Sequence, residues 1–408
     1  MGVAHGKISR NIVEEHLDEL SLLAETAGAE VAARIVQNLN RIHSKYFVGK
    51  GKAEQIINQA KEMGVKLIIF DEDLTPAQVK NYSGLANNIK VIDRSALILD
   101  IFRQHAKTRE SKTQVELAYL QYLLPRLTRQ WTHLERQMGG IGTRAGMGET
   151  QIEVDRRLIR TKISKLKKDL DSIEKERITQ GQNRKSEFRA ALVGYTNAGK
   201  STLFKCLTGS DVFIQDQLFA TLDTTVRRVN LSDAHSCLLS DTVGFIRKLP
   251  HHLVASFRST LKEVLEADLL LIVVDMSSPF MKDHLDTIQS VLKELEADKL
   301  PQLLVLNKAD LVSDATAIGE SALAFPESVA ISALESLRIN QLKEKILEIM
   351  EKNFQTIEIE VSYKNGKIIS DVQKGVVVLS REYLDTGVKL TIRGNRNRIE
   401  QIQAAALN

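Results

Sequence analysis

A phosphate-binding motif near the middle of the chain restricts the possible fold more than any other feature. Residues 192–201 read Leu-Val-Gly-Tyr-Thr-Asn-Ala-Gly-Lys-Ser, which fits the pattern of glycine, four residues, glycine, lysine and serine. An apolar run at 190–193 predicts a buried strand before this loop, and a helical pattern begins at Ser201. Gly194 and Gly199 permit the sharp turn and close backbone approach that let N–H groups face an anion. The motif therefore predicts a nucleotide-binding loop, and an ordinary glycine-rich turn is the weaker alternative.

The residue types in this loop predict individual roles. Lys200 is expected to reach the β- and γ-phosphates, and the Ser201 hydroxyl is expected to ligate Mg²⁺. The nucleotide contacts predicted from the loop are Gly194, Tyr195, Thr196, Asn197, Ala198, Gly199, Lys200, Ser201 and Thr202.

A second motif indicates which base is bound. Asn307-Lys308-Ala309-Asp310 follows the apolar run 302–306 and resembles the guanine-reading motif of the GTPase superfamily. The Asp310 carboxylate has two acceptor oxygens that suit the N1–H and exocyclic amine of guanine, and adenine would leave them unpaired. Ser332-Ala333-Leu334 follows another apolar run and resembles the loop that supports the base in that superfamily. In isolation Asn-Lys-Ala-Asp would indicate a solvated turn. Because it follows a phosphate-binding loop in the chain, we favour a role in binding guanine.

Two segments between these motifs resemble the switches of such enzymes. In Asp241-Thr242-Val243-Gly244, Asp241 is expected to hold a Mg²⁺-bound water and the Gly244 N–H to sense the γ-phosphate. Phe219-Ala220-Thr221-Leu222-Asp223 fits the first switch, where Thr221 is predicted to close onto Mg²⁺, with Thr224 and Thr225 as competitors. The predicted catalytic residues are therefore Lys200, Thr221, Asp241 and Gly244, and the predicted metal ligands are Ser201 and Thr221.

Two further positions bear on the rate of hydrolysis. Phe245 stands where Ras-like enzymes carry a glutamine that positions the attacking water, and a phenyl ring cannot do this. We therefore expect slow intrinsic turnover. Asn197 matches an asparagine of K⁺-activated relatives, so K⁺ is a candidate cofactor. Stabilisation of the loop by Asn197 is an equally weighted alternative.

Composition narrows the class of protein. The chain has 408 residues, 43% of them hydrophobic and 26% charged, which is typical of a soluble globular protein with several domains. No apolar run approaches the roughly 20 residues that a membrane span needs, and the first residues lack the apolar core of a signal peptide. Cys206 and Cys237 do not have the spacing of metal ligands. We expect both to be reduced thiols that pack in the interior of a cytoplasmic protein.

The pattern of elements predicts an α/β protein with a P-loop GTPase domain, a doubly wound and mostly parallel sheet, at its centre. We expect an N-terminal α/β domain at 1–106, a long antiparallel helical hairpin with a glycine-rich tip loop at 107–180, the GTPase domain at 187–352 and a small α+β domain at 355–408. Within the first domain, helices are predicted at 25–39 and 53–63 and a strand at 67–70.

Two short charged runs in the first domain leave alternatives open. Gly49-Lys50-Gly51-Lys52 fits a phosphate cradle or a structural turn equally well. Asp71-Glu72-Asp73 resembles a carboxylate cluster for metal or acid/base work, but we interpret it as a solvated loop that caps a helix.

The predicted hairpin is basic. Apolar residues recur at helical spacing from Leu117 to Met138 and from Ile159 to Ile173, and Pro125 is expected to kink the first helix. From Lys107 to Arg189 there are 19 Lys and Arg against 11 Asp and Glu, a net charge of +8 in a chain whose total is +4. Such a segment suits contact with a polyanion such as RNA, and a solvated helical face is the alternative. The candidate RNA contacts near the tip are Arg144, Arg156 and Arg157.

Several runs together resemble the HflX GTPases over almost the whole chain. These are Gly-Glu-Thr-Gln-x-Glu-x-Asp-Arg-Arg at 148–157, the run at 46–52, and the GYTNAGKS, FATLD and DTVGF segments. One departure is Arg-Ala-Gly-Met-Gly-Glu at 144–149, where the family usually has Arg-Gly-Pro-Gly-Glu.

The resemblance implies a cytoplasmic, Mg²⁺-dependent GTPase that binds GTP and GDP. It also implies that the protein binds the large ribosomal subunit and its rRNA, is stimulated there, and splits stalled or idle ribosomes under stress. A DNA partner is not expected. The alternatives are a ribosome-assembly or RNA-maturation GTPase and a GTP-dependent regulator of a protein partner.

Overall fold

A computed structural model describes most of the chain. The described residues are 1–6, 9–86, 88–127, 151–181, 187–209, 218–219, 221–233, 235–248, 262–312, 325–352, 354–363, 376–395, 399 and 402–403. They form two compact units: the first comprises the described residues within 1–173, 216–222 and 248–258, and the second comprises those within 174–215, 223–247 and 259–408.

The first unit contains short parallel strands covered by helices. Strands β1 (Gly2–Ala4) and β2 (Val36–Asn38) pair in parallel, as do β3 (Leu67–Phe70) and β4 (Lys90–Asp93). The Met1 amine donates to the Ile69 carbonyl at 2.8 Å, and Met1 O accepts from the Asp71 N–H at 2.9 Å, which joins the two pairs. The helices are α1 (Arg10–Thr26), α2 (Lys50–Glu62), α3 (Pro76–Leu85) and α4 (Arg94–His105).

The predictions for this unit are partly right. The strand at 67–70 is confirmed, and the helix predicted at 53–63 is α2. The helix predicted at 25–39 is wrong, because α1 already ends at Thr26 and Gly28 has a left-handed φ of 82°. Residues 29–35 lie outside helices and strands and lead into β2.

The run at 49–52 is the start of a helix. Gly49 is the N-cap of α2, Lys50 lies 3.6 Å from Glu54, and Lys52 donates to Gln55 at 3.1 Å. Both lysines therefore have partners on the same helix, which favours a structural turn at the start of α2 over a phosphate-binding loop.

Two more helices of the predicted hairpin are described. Helix α5 covers Arg109–Leu123 and α6 covers Gln151–Gly181. Instead of kinking at Pro125, α5 ends, and a 3₁₀ turn at Leu124–Arg126 follows because proline lacks the N–H that an α-helix requires. Helices α5 and α6, together with Leu127 after the turn, share an apolar cluster that contains Leu117, Leu120, Leu123, Leu127, Ile159 and Leu166. The tip loop predicted at 139–150 lies outside the described residues.

The second unit is built on a six-stranded sheet. Its strands are β5 (Arg189–Gly194), β6 (Thr225–Asn230), β7 (Ser236–Asp241), β8 (Leu269–Asp275), β9 (Gln302–Asn307) and β10 (Val329–Ala330). Their order is β10-β9-β8-β5-β7-β6, and all neighbours are parallel except β6 with β7. Because β5 lies between β7 and β8, the strand order reverses there, which is where open α/β sheets bind ligands.

Helices flank this sheet as a doubly wound fold requires. They are α7 (Lys200–Thr208), α8 (Lys262–Leu265), α9 (Met281–Glu294) and α10 (Ile339–Lys352). The central strands β5 and β8 are almost entirely buried. The predicted fold class is confirmed by this architecture.

A small antiparallel sheet follows in the same unit. Its strands β11 (Phe354–Ser362), β12 (Val376–Tyr383) and β13 (Gly387–Asn395) have the order β11-β13-β12. Ile399 and Ile402 pack into its apolar core. The sequence of the small domain also predicts a helix at 396–406, and most of that segment lies outside the described residues. Among the described helices, none has the length and apolar character needed to cross a bilayer.

Candidate nucleotide-binding site

The loop after β5 has the geometry of a phosphate cradle. Gly199 has a φ of 88° and stands directly before Lys200, the first residue of α7. A Cβ on Gly199 would lie 2.2 Å from Nδ2 of Asn307, and one on Gly194 would lie 2.2 Å from the Val273 carbonyl oxygen. Both positions therefore require glycine, and the loop delivers its backbone N–H groups to a helix N-terminus that favours anions.

Lys200 lies at the centre of this loop. Its side chain is 7% exposed and donates to the carbonyl oxygens of Gly194 at 3.1 Å and Tyr195 at 2.8 Å. Burial lowers the pKa of the Lys200 ammonium to about 8, although the negative charge of Asp241 acts in the opposite direction. A buried cation at a helix N-terminus is well suited to bind phosphate oxygens.

Two oxygen-bearing side chains meet beside Lys200. The Ser201 hydroxyl donates to Oδ2 of Asp241 at 2.7 Å, and Asp241 is the last residue of β7. Thr242, which is fully buried, donates from Oγ1 to the Leu192 carbonyl at 2.6 Å and so fixes the end of β7 against β5. Hydroxyl and carboxylate oxygens are hard ligands, so this pair fits a Mg²⁺ ion bound in part through water.

The segment after β7 lies on the phosphate loop. The Phe245 N–H donates to Gly194 O at 2.9 Å, and the Thr196 N–H donates to Phe245 O at 2.8 Å. A Cβ on Gly244 would lie 2.9 Å from Cγ2 of Thr196 and 3.0 Å from Nζ of Lys200. The backbone of Gly244 therefore reaches the Lys200 ammonium, and Phe245, 3% exposed, brings no polar group to it.

The loops after β9 and β10 form the neighbouring end of the site. Asn307 Nδ2 donates to Ala198 O at 2.8 Å, and Oδ1 of Asn307 accepts from the Ala333 N–H at 3.0 Å. One buried amide therefore joins the phosphate loop to the loop at 332–334. Asp310 is exposed two residues beyond Lys308, so its carboxylate is accessible to a base. Ser332 and Ala333 are buried and Leu334 is exposed.

A partner of Lys308 was missed by the sequence reasoning. Lys308 has a left-handed φ of 63° and forms an ion pair with Asp275 at 2.8 Å. Asp275 ends β8 and Asn307 ends β9, and the two are register partners. The alternation of apolar strands with terminal polar residues was the available signal, because parallel strands end at the same edge.

The remaining predicted residues belong to one or the other compact unit or lie outside the described part of the chain. Phe219, Thr221 and Leu222 belong to the first unit, and Asp223 belongs to the second. Phe219 packs edge-on against Phe102, with ring centroids 4.7 Å apart. Ala220 and Arg144 lie outside the described residues, and Arg156 and Arg157 are exposed on α6.

The acidic run at 71–73 is only partly solvated, since Asp73 is exposed but Asp71 is buried. Asp71 is 3% exposed, and its carboxylate accepts from Arg94 at 2.8 Å and Lys248 at 2.7 Å. His16 Nδ1 lies 3.5 Å from the same carboxylate. Burial by itself raises the pKa of the Asp71 carboxyl, but the His16 hydrogen bond and the charges of Arg94 and Lys248 outweigh it and hold the pKa well below its usual range. The run therefore has a structural role in the first unit.

Comparison with known families agrees with this geometry. Residues 14–103 match the family described as GTP-binding GTPase N-terminal, and residues 105–184 match GTP-binding GTPase Middle Region. Residues 189–308, which contain the phosphate loop and both switch motifs, match the family described as 50S ribosome-binding GTPase.

Curated relatives cover most of the chain. It is 51% identical over 310 residues to the GTPase HflX of Flavobacterium psychrophilum, covering 76% of this chain and 74% of the relative. It is 44% identical over 363 residues to the HflX of Magnetococcus marinus, covering 88% and 84%. It is 42% identical over 387 residues to the HflX of Escherichia coli, covering 93% and 89%.

A solved GTP-binding protein of Sulfolobus solfataricus in complex with GDP is also similar. It is 25% identical, with a TM-score of 0.43, and the match covers 85% of this chain and 98% of that one. On the strength of the curated relatives, this chain is a GTP hydrolase and belongs to the HflX family of GTPases.

Proposed function

We propose that this GTPase acts in the cytoplasm on ribosomes: it binds the large subunit and its rRNA, is stimulated by it, and splits stalled or idle ribosomes under stress. The observation that carries the proposal is the match of residues 189–308 to a 50S ribosome-binding GTPase family, since those residues form the site described above. The HflX relatives extend the similarity to the rest of the chain.

Within the site, the residues divide the work by chemistry. Lys200 and the loop N–H groups bind the β- and γ-phosphates, and the Gly244 N–H responds to the γ-phosphate. Asp310 accepts from the guanine edge, and Asn307 holds the phosphate and base loops in register through its bonds to Ala198 and Ala333. With these roles, the position of the switch segments depends on whether a γ-phosphate is bound.

We assign Ser201 and Asp241 to Mg²⁺, with Thr221 of the first switch as the additional ligand. When bound, Mg²⁺ neutralises charge on the β- and γ-phosphate oxygens. The Ser201 hydroxyl oxygen and Oδ2 of Asp241 are 2.7 Å apart, so the chain already holds these two oxygen atoms together.

At position 245, where Ras-like enzymes carry the glutamine that orients water, this chain has phenylalanine. Phe245 is buried, and its backbone groups bond to Gly194 and Thr196. We therefore expect low intrinsic turnover, and we expect the ribosome to supply or align the groups that position the attacking water.

Asn197 has two proposed roles that an experiment separates. Its φ of 60° is a left-handed conformation that asparagine tolerates better than most residues, so the loop geometry alone accounts for asparagine here. K⁺ activation is the second role. We expect turnover measured in K⁺ and Na⁺ buffers to differ if Asn197 serves a cation, and identical rates would exclude that role.

The proposed RNA contact lies on α6. Arg156, Arg157 and Arg160 are exposed within its second and third turns, close in sequence to the glycine-rich run at 139–150. Arginine binds phosphate through several N–H donors, so such a cluster suits rRNA.

Density-gradient sedimentation tests splitting directly. Purified ribosomes are mixed with the protein and a non-hydrolysable GTP analogue, with the Lys200→Ala variant as the control that lacks the phosphate-binding cation. The proposal predicts conversion of whole ribosomes into free subunits by the wild type alone. Unshifted peaks would contradict splitting, and co-migration without splitting would favour an assembly or regulatory role.

A further inference from the structure

The side chain of Tyr195 connects three parts of the second unit. Tyr195 is the second residue of the phosphate loop and is 6% exposed. Its hydroxyl oxygen accepts from the Arg247 N–H at 3.0 Å. Its ring stacks on the His284 imidazole, with centroids 4.0 Å apart and planes inclined by 16°. We propose that Tyr195 is a positioning residue that holds the second switch, meaning the motif at 241–244 with the residues 245–247 that follow it, on the phosphate loop.

The phenol supplies the side-chain-specific part of this attachment. Two other hydrogen bonds join the same segments, from the Phe245 N–H to Gly194 O and from the Thr196 N–H to Phe245 O. Both use backbone atoms alone, so any residue at position 195 would leave them in place. The bond to the Arg247 N–H requires a hydroxyl at the end of a long side chain, which tyrosine provides and phenylalanine does not.

His284 fixes the direction of that hydroxyl. It lies in the first turn of α9, the helix that follows β8, and is therefore anchored independently of the switch. A near-parallel stack restricts rotation of the tyrosine ring, so the hydroxyl oxygen stays where the Arg247 N–H can reach it. The attachment thus runs from α9 through Tyr195 to the switch.

The position of Gly244 links this attachment to nucleotide recognition. Gly244 precedes the anchored residues 245–247 and approaches Lys200 so closely that a Cβ would lie 3.0 Å from its Nζ. Holding 245–247 on the loop therefore holds the Gly244 N–H beside the place proposed for the γ-phosphate. Loss of the phenol bond should weaken binding of GTP more than binding of GDP, which has no γ-phosphate. This inference rests on the proposed role of Gly244.

The Tyr195→Phe variant tests it, because the ring and its stack on His284 are kept. We expect affinity for a non-hydrolysable GTP analogue to fall about three- to ten-fold, the effect of one hydrogen bond, with GDP affinity unchanged. Hydrogen exchange at the Arg247 amide should become faster, and the melting temperature should stay near that of the wild type. Tyr383→Phe, in an exposed position of the same unit, is the matched control.

A further variant and the exchange measurement separate the possible failures. His284→Ala removes the ring support and should also lower analogue affinity selectively. Equal losses for the analogue and GDP in Tyr195→Phe, or unchanged exchange at Arg247, would overturn the inference. Unchanged exchange would show that the phenol bond does not hold the switch, whereas faster exchange with equal losses for the two nucleotides would show that the attachment exists and that Gly244 lacks its proposed role.

Discussion

Gly199 and Gly209 flank helix α7 and differ in their surroundings. Both have left-handed φ angles, of 88° and 64°. An added Cβ at Gly199 would meet the Asn307 amide, whereas at Gly209 it would meet nothing within 4 Å. Substituting Gly209 therefore adds backbone strain alone, whereas substituting Gly199 adds both strain and a steric clash in the nucleotide site.

We predict that Gly199→Ala destabilises the fold by about 3 kcal/mol and abolishes GDP binding, since strain and overpacking add and Asn307 must leave Ala198. Gly209→Ala should cost about 1 kcal/mol from strain alone and leave GDP affinity intact. Urea unfolding and fluorescence titration with GDP measure both. Similar GDP affinities for the two variants would show that the Asn307 contact is unimportant.

Asp310 tests the assignment of the base. Its carboxylate is exposed at the end of the site where Asn307 joins the loops. Asp310→Ala should lower GDP affinity about 100-fold or more, because the guanine donors would lose their acceptors. Asp298 is an exposed carboxylate that precedes the first residue of β9, at the opposite end of the strand from Asn307, and Asp298→Ala should leave GDP affinity unchanged. GDP affinity that survives in Asp310→Ala would place the base elsewhere.

At the scale of elements, local patterns predicted the strands that carry the candidate site but not the long-range partners of its side chains. The apolar runs at 190–193 and 302–306 predicted two of the strands, and parallel strands bring their ends to one edge of the sheet. The helix predicted at 25–39 was wrong because apolar spacing continues across Gly28, where the backbone turns. The burial of Asp71 was not foreseeable, since its partner Lys248 is 177 positions away. Likewise, nothing in the sequence pairs Tyr195 with His284.

The Asp71 cluster at the end of β3 predicts a dependence of stability on pH. The folded-state pKa of Asp71 is well below its usual range, so the stability it provides is complete above the unfolded pKa, about 4, and declines as the pH falls below that value. Asp71→Asn should cost about 3 kcal/mol at neutral pH, because Arg94 and Lys248 lose a buried partner.

Urea unfolding of the wild type and variant at several pH values measures this effect. The difference in unfolding free energy should shrink as the pH falls from about 5 towards 3. Asp18→Asn is the control: its exposed pair with Arg34 should contribute less than about 1 kcal/mol. A difference that stays constant with pH would contradict the assigned ionisation.

The exposed arginines of α6 predict a dependence on salt. Arg156→Ala should weaken ribosome binding and flatten its decline with rising salt concentration, because one phosphate contact is lost. GDP affinity should not change. Sedimentation binding assays at several salt concentrations give the slope, and an unchanged slope would count against α6 as an RNA contact.

At the scale of the whole molecule, two units share the predicted switches. Phe219, Thr221 and Leu222 belong to the first unit, and Gly194, Lys200, Asp241 and Gly244 belong to the second. A chain with Phe245 in place of a catalytic glutamine is expected to hydrolyse GTP efficiently only when a partner supplies or aligns the missing groups. In the proposed function that partner is the large ribosomal subunit.

The rate of phosphate release with and without purified large ribosomal subunits tests this most directly. We expect slow GTP hydrolysis by the protein alone, a large increase with large subunits, and no comparable increase with ATP as substrate. GTP turnover that is the same with and without large subunits, or equal hydrolysis of ATP, would contradict it.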